Sequence, residues 1–290
     1  MAVFRTEDDC RQFLMDRRWP DGVVKCPRCG SGDNVYKIAM PWKWECANKD
    51  CRKGNAYRFS VIAGTIYENT KHPLLTWFKV LYTILQSKKG ISSRQIRRMY
   101  FGEQSSTHTA WYMCHRLRAG MADPDFRQLM GIVEVDETGI GGKDKNRHWD
   151  KKQHITGMSG KMTVIGAISR KGNVVCQVIE NTNAATLDRF VRKAVSEKVD
   201  LVATDDALGY EHLSELGYKH KRVSHAVGEY VRGEVHTNNI ESFWSLLKRG
   251  IVGTFHHVSK KYLPLYLNEF QFRHNHRKDE DIFGKAIAGC

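Results

Sequence analysis

Four cysteines in two close pairs constrain the start of this chain more tightly than any other feature. Cys26 and Cys29 are two residues apart in CPRCG, Cys46 and Cys51 are four apart in CANKDC, and sixteen residues separate the pairs. Two tight turns that each present two thiolates can close a tetrahedral zinc site. Short strand-like pieces, NVYKI, WKWEC and YRFSV, lie between and after the pairs. They offer too little apolar surface for an independent core. The spacing therefore predicts small hairpins held by one structural Zn²⁺ at Cys26, Cys29, Cys46 and Cys51. The remaining cysteines, Cys10, Cys114, Cys176 and Cys290, are scattered, unlike a secreted disulfide framework.

The next segment reads as helical. Trp77, Val80, Leu81, Ile84 and Leu85 recur at i, i+3, i+4, i+7 and i+8, the stripe of an amphipathic helix. After SKKG, the serines of ISSRQIRRMY can cap a second helix. A glycine-bearing turn, FGEQS, leads to a third in STHTAWYMCHRLRAG. Two short helices around such a turn suggest a helix-turn-helix, whose second helix would offer Thr107, His108, Thr109, Arg116 and Arg118 to DNA.

From about residue 130 the pattern changes to strands. IVEVDE alternates apolar and acidic residues, and glycines 139, 141 and 142 are expected to end that strand. A basic, glycine-bearing loop follows, then strands in MTVIGAIS and VVCQVIE and a helix in AATLDRFVRKAVS. The strand DLVATD, a helix around 209–216, a short strand KRVSH and a long helical stretch from about 239 complete the order. Three leading strands followed by alternating helix and strand predict an α/β domain with a mixed sheet, the order of a ribonuclease H-like domain.

Three acids stand out in it. Asp136 and Asp205 end strand-like runs, and Glu241 opens the helix NNIESFWSLLKRG, whose Phe243, Trp244, Leu246 and Leu247 would face the core. Carboxylates brought together repel, and divalent Mg²⁺ or Mn²⁺ removes that cost. Two such ions about 3.5–4 Å apart can clamp the attacking and leaving oxygens of an in-line displacement at phosphorus. Lys248 follows Glu241 by two helical turns, which places both on one face and a cation beside bound phosphate. His220, His225, His256 and His257 are read as facing phosphate or solvent, not as a second metal site.

The formal charge of +14 on 290 residues favours a polyanionic partner, nucleic acid before membrane. Nine of those surplus charges fall before residue 126, where the DNA-reading segments are expected. The start, MAVFRTEDDC, has no apolar signal region. The longest apolar run, LLTWFKVLYTIL, is short and broken by Lys79, so a soluble protein is expected, cytoplasmic in a bacterium or nuclear in a eukaryote.

The chain resembles the ISXO-type transposases of bacterial insertion sequences, related to the Merlin transposases and members of the DDE superfamily. RWPDGVVKCPRCGS, AGTIYENTKHPLLTWF, VEVDETGIGGK, TDDALGY and the long HTNNIESFWSLLKRGIVGTFHHVSKKYLPLYLNEFQFRHNHR carry the likeness. It implies an acidic triad of Asp136, Asp205 and Glu241 with Lys248 as the basic residue after it. Asp206 is an alternative to Asp205, and Asn238 or Asn239 to the third acid. An aromatic residue is usual in the family where Gly139 stands here. The resemblance implies a zinc ribbon at 1–68, a helix-turn-helix-like segment at 69–125 and a catalytic domain at 126–290. It also implies binding to terminal inverted repeats, cleavage at the ends, joining to double-stranded target DNA, and at least a dimer on DNA. A ribonuclease H-like nuclease that cuts without joining, and a transposase-derived regulator, are the other readings such residues allow.

Overall fold

The computed structural model describes residues 4–51, 55–123, 126–142, 149–151, 160–205, 208–223 and 236–290. The chain divides into two compact units, Met1–Ala122 with Asp279–Cys290, and Asp123–Lys278. No described helix is long and apolar enough to cross a membrane.

The first unit begins with α1 (Glu7–Arg18), which the sequence reading did not anticipate. Only Cys10 and Leu14 are buried on it, so its apolar stripe is weak, but Thr6 and Asp9 form a reciprocal capping box. Three short antiparallel strands follow in the order β1 (Val35–Lys37), β2 (Lys43–Cys46) and β3 (Tyr57–Ser60). Their small core is aromatic: Trp44 stacks on Phe59 and meets Trp19 edge-on. Helices α2 (Leu74–Gln86), α3 (Ser93–Tyr100) and α4 (Thr107–Gly120) come next. Glu7 of α1 accepts from the backbone N–H groups of Leu74 and Leu75 at 2.9 and 3.1 Å, supplying the cap that Pro73 cannot. Ser92 and Ser106 cap α3 and α4.

The last helix, α8 (Ile282–Ala288), is counted with this unit. Phe283 joins Phe4, Phe13 and Phe78 in a cluster of tilted and edge-to-face rings. Asp281 pairs with Arg17 of α1.

The second unit holds, among its described residues, a five-stranded sheet in the order β6-β5-β4-β7-β8. Its strands are β4 (Ile132–Ile140), β5 (Met162–Ser169), β6 (Val174–Ile179), β7 (Leu201–Asp205) and β8 (His220–Val223). β4, β5 and β6 pair antiparallel, whereas β7 and β8 add in parallel. Helix α5 (Ala184–Ala194) packs Leu187, Phe190 and Val191 with Val133, Val135 and Val202 in one core. A second core joins Ile240, Phe243, Trp244 and Leu247 of α6 (Asn238–Gly250) with Leu263, Leu267 and Phe270 of α7 (Leu263–Asn275), and with Val164 and Ile168 of β5. Leu246, expected in the core, is only partly buried. The expected helix around 209–216 is a 3₁₀ turn, Leu208–Leu213. α6 runs on into a π-helical turn, Ile251–Phe255.

Candidate active site

Backbone pairing brings the first two acids together. β4 and β7 run parallel as far as Val135 opposite Thr204, and Asp136 and Asp205 are the next residues on the two strands. The carboxylates thus emerge side by side where the parallel pairing stops. On its other edge β4 stays paired with β5 as far as Ile140 opposite Met162. Asp136 is therefore mid-strand, and Gly139, opposite Thr163, does not end the strand as expected. The antiparallel partner supplies the hydrogen bonds that hold a glycine extended there.

Alternation turns Glu134, Asp136 and Thr138 to one face of β4. Trp244 of α6 donates its indole N–H to Asp136 Oδ2 at 3.0 Å. Its ring lies over Gly166, the β5 residue opposite Asp136, where an added Cβ would come within 2.5 Å of it. Only glycine admits the indole that close to the sheet.

Glu134, fully buried, fixes the start of α6. Its carboxylate accepts from the backbone N–H groups of Asn239 and Ile240 at 2.8 and 3.2 Å, and from the Asn239 side chain at 2.7 Å. Arg170 donates to it at 3.1 Å. A buried charge so surrounded by donors is satisfied, and an anion suits a helix N-terminus. One turn on, the Thr237 hydroxyl donates to Glu241 Oε1 at 2.9 Å. The Asn239 side chain is thereby engaged with Glu134, and Asn238 is exposed. Asp206 and His225 lie outside the described residues.

Asp136, Glu137, Glu241, Lys248 and Arg249 line one open cleft. Burial, followed by the charge of Asp205, pushes Asp136 up to about 6, and Glu241 adds to the rise. Burial also pushes Glu137 up to about 7, against the 2.6 Å hydrogen bond it accepts from Tyr210. Neighbouring carboxylates thus add to the effect of burial at Asp136 and Glu137, and a divalent cation would relieve this repulsion. The donor set of carboxylates beside an exposed lysine fits a hard cation and phosphate. Glu134 and Glu137 were not singled out in the sequence. Their strand alternation with Asp136 was the available signal for Glu134.

His220 is only partly exposed. It lies on β8, bonded to Thr204 at 2.8 Å, and burial pushes it down to about 4. His256 and His257 are exposed.

In the first unit the Sγ atoms of Cys26, Cys29, Cys46 and Cys51 all lie within 4.8 Å of one another. Cys26–Cys51 and Cys29–Cys46 are 3.6 and 3.9 Å apart, too far for disulfides. Zn–S bonds of about 2.3 Å in a tetrahedron require S···S edges of about 3.8 Å, so the cluster fits zinc. A hydrogen bond from the Ser31 backbone leads in holding Cys29 down to about 7, favouring a thiolate there. Among the described residues this is the one cluster of Cys, His, Asp or Glu drawn together closely enough to share an ion. Asp136 and Glu241 line one cleft and Asp205 follows the end of the parallel pairing beside Asp136, without the three converging to that degree.

Thr107 and His108 are exposed on the first turn of α4, and Tyr112 follows one turn later, 57% exposed. Arg116 is tied to its own unit, donating to the Glu68 carbonyl at 3.2 Å and lying over Trp77 and Tyr112. Arg118, expected to face DNA, is only 1% exposed, because it shares the inward face of α4 with Cys114 and Leu117.

Residues 128–275 match the family of the ISXO2-like transposase domain, and residues 5–54 match the transposase zinc-ribbon domain. The chain is also 28% identical, over 94% of its length and 92% of the relative's, to a protein from Halobacterium salinarum described as an uncharacterized protein in transposable element ISH50. With a transposase domain over half its length and a zinc ribbon in front of it, this chain belongs to the ISXO2-like transposase family.

Proposed function

We propose that this transposase binds the terminal inverted repeats of its element, cleaves at the ends and joins the freed 3′-hydroxyls to target DNA. The observation that carries this reading is the register of β4 and β7, which sets Asp136 beside Asp205 while α6 turns Glu241 and Lys248 into the same cleft. Three antiparallel strands extended by two parallel ones, with acids on β4, β7 and α6, support a ribonuclease H-like scaffold.

Asp136, Asp205 and Glu241 would hold two Mg²⁺ or Mn²⁺ ions. When bound, these supply Lewis-acid stabilisation of charge on the attacking and leaving oxygens of a phosphodiester. The protein's own part is orientation. Trp244 fixes the Asp136 carboxylate, Thr237 fixes Glu241, and Glu134 holds the α6 terminus that carries both partners. Lys248, exposed on the same cleft, contacts phosphate. Zinc at the four cysteines holds the ribbon, and the exposed start of α4 with Thr107, His108 and Tyr112 reads the ends. Two chains or more assemble on DNA to bring two ends together.

The test is end DNA incubated with Mg²⁺ and each of Asp136→Ala, Asp205→Ala and Glu241→Ala. Each should lose cleavage and joining and keep end binding. A variant that cleaves near the wild-type rate removes its residue from the triad. Wild-type cleavage without joining would make the protein a nuclease.

A further inference from the structure

Beside the acid cleft lies a larger cavity of about 1010 Å³, also within the second unit. Lys248 borders both. One wall is the end of β4 and the start of β5, where Gly139, Gly141 and Gly142 face Gly160 and Lys161. Gly141 has φ 148°, open to glycine alone among common residues. The other wall is the π-helical turn after α6 and the loop beyond it, with Val252, His256, His257 and Lys260. His256 ends that turn at φ 61°, a backbone conformation that residues with a side chain rarely adopt. Strain of this kind gathers where a segment is shaped for contact.

The walls are rich in lysine, of which Lys260 also meets Glu180 at 3.7 Å in an exposed pair. No carboxylate occurs among the described residues that line the cavity, whereas three lysines do. Glycines remove Cβ atoms from one wall and let a ligand's backbone approach the peptide groups. The opposite wall offers two exposed imidazole rings and Val252, 68% exposed. Lysines for phosphates and flat or apolar surfaces for bases are what single-stranded nucleic acid requires. The volume matches a small-molecule site, which suits a nucleotide or two but not a duplex.

The geometry points to this cavity as a binding groove for unpaired nucleotides of the DNA strand next to the scissile phosphate. The inference rests on the transposase reading and names where the strand goes once it leaves the acid cleft past Lys248. Lys161 and Lys260 hold its phosphates, and His256, His257 and Val252 hold its bases.

The experiment uses the full zinc-loaded chain and a twelve-nucleotide oligothymidylate with one central 5-iodouracil, irradiated without added Mg²⁺. Trypsin then releases the wall as a single peptide, Gly250–Lys260. The crosslink is expected on that peptide, with single-stranded competitor at least tenfold more effective than a duplex of equal length. Lys161→Glu combined with Val252→Glu should lower the yield there about tenfold without changing thermal unfolding or any crosslink within residues 94–118. Lys161→Ala should flatten the salt dependence of binding by about 0.7 in log–log slope, one single-strand phosphate contact. Crosslinks confined to residues 94–118, an unaffected yield in the double variant, or equal competition by duplex would each overturn the groove. End cleavage in Mg²⁺ by the same wild-type preparation keeps the two readings apart. Cleavage with no groove crosslink removes the groove alone, and a groove crosslink with no cleavage removes the transposase mechanism alone.

Discussion

Lys248 and Arg249 are neighbours on α6. Both line the cleft. Their difference lies in what holds them: the Arg249 guanidinium donates to the Ser245 carbonyl at 3.2 Å, whereas Lys248 is exposed between the acid cleft and the adjoining cavity. Lys248→Ala is expected to slow cleavage by about 10- to 100-fold, less than or comparable to loss of an oxyanion donor. Lys248→Arg should recover part of it, since the charge returns with a different shape. Arg249→Ala should stay within about threefold. Rates on end DNA at several salt concentrations decide this, and equal losses for the two alanine variants would return Lys248 to an ordinary surface charge. A second residue-level expectation concerns pH. Burial holds His220 and His274 neutral down to about 4, whereas unfolded histidine titrates near 6.5. Between those values the unfolded state binds more protons, so their contribution is complete above pH 6.5 and is lost as pH falls toward 4. Asp136 and Glu137 act in the opposite sense, because the native state keeps their protons longer. The variant isolates the histidine: His220→Gln, which retains a partner for Thr204, should lose less thermal stability than wild type between pH 7 and 5. An identical loss would mean that His220 titrates normally.

At the scale of elements, α6 owes its placement to a carboxylate on a strand. Its N-cap, Thr237, makes no side-chain cap to the helix, and Glu134 supplies the acceptors from β4. Glu134→Gln keeps the shape but loses the charge that binds two backbone N–H groups and Arg170 together. Breaking a buried charge pair costs about 3–5 kcal/mol, and the retained amide should hold the loss nearer the lower figure. Denaturant unfolding of the second unit measures it. Cleavage should fall with end binding intact, because Glu241 is no longer held. An unchanged midpoint with unchanged cleavage would remove Glu134 from the positioning of α6. Pattern alone made the strands and α2, α3 and α4 legible, since apolar spacing and serine caps are local signals. Asp136 and Asp205 were legible because acids in strands demand a reason. What could not be read was decided by partners distant in sequence. β4 outlasts its parallel neighbour β7, so glycine 139 remains in a strand. The Trp244–Gly166 contact joins residues with no shared local pattern. Arg118 was misjudged because its helix buries that face.

For the whole molecule, the chain crosses from the first unit to the second and returns. Its last twelve residues, Asp279–Cys290, are counted with the first unit, where Phe283 completes a ring cluster with Phe4, Phe13 and Phe78. Ile66 donates its backbone N–H to the Cys290 carbonyl at 2.9 Å, a second tie between the terminus and the segment that follows the ribbon. A chain ending at Lys278 should therefore leave the acid-bearing unit intact and weaken the other. Loss of a packed phenylalanine costs about 3–5 kcal/mol, and the Asp281–Arg17 pair, being exposed, adds little. Zinc should remain at one ion per chain, because its ligands come from residues 26–51 alone. Zinc content and the unfolding transitions of the two units, followed by hydrogen exchange, test the assignment. Greater exchange in α1 and α2 with unchanged protection of β4 and β5 is the expected result. Lost protection in the five-stranded sheet, with α1 unaffected, would place the terminus with the second unit instead. Chelation should act on the same side of the division, exposing the ribbon strands while the acid cleft keeps its protection.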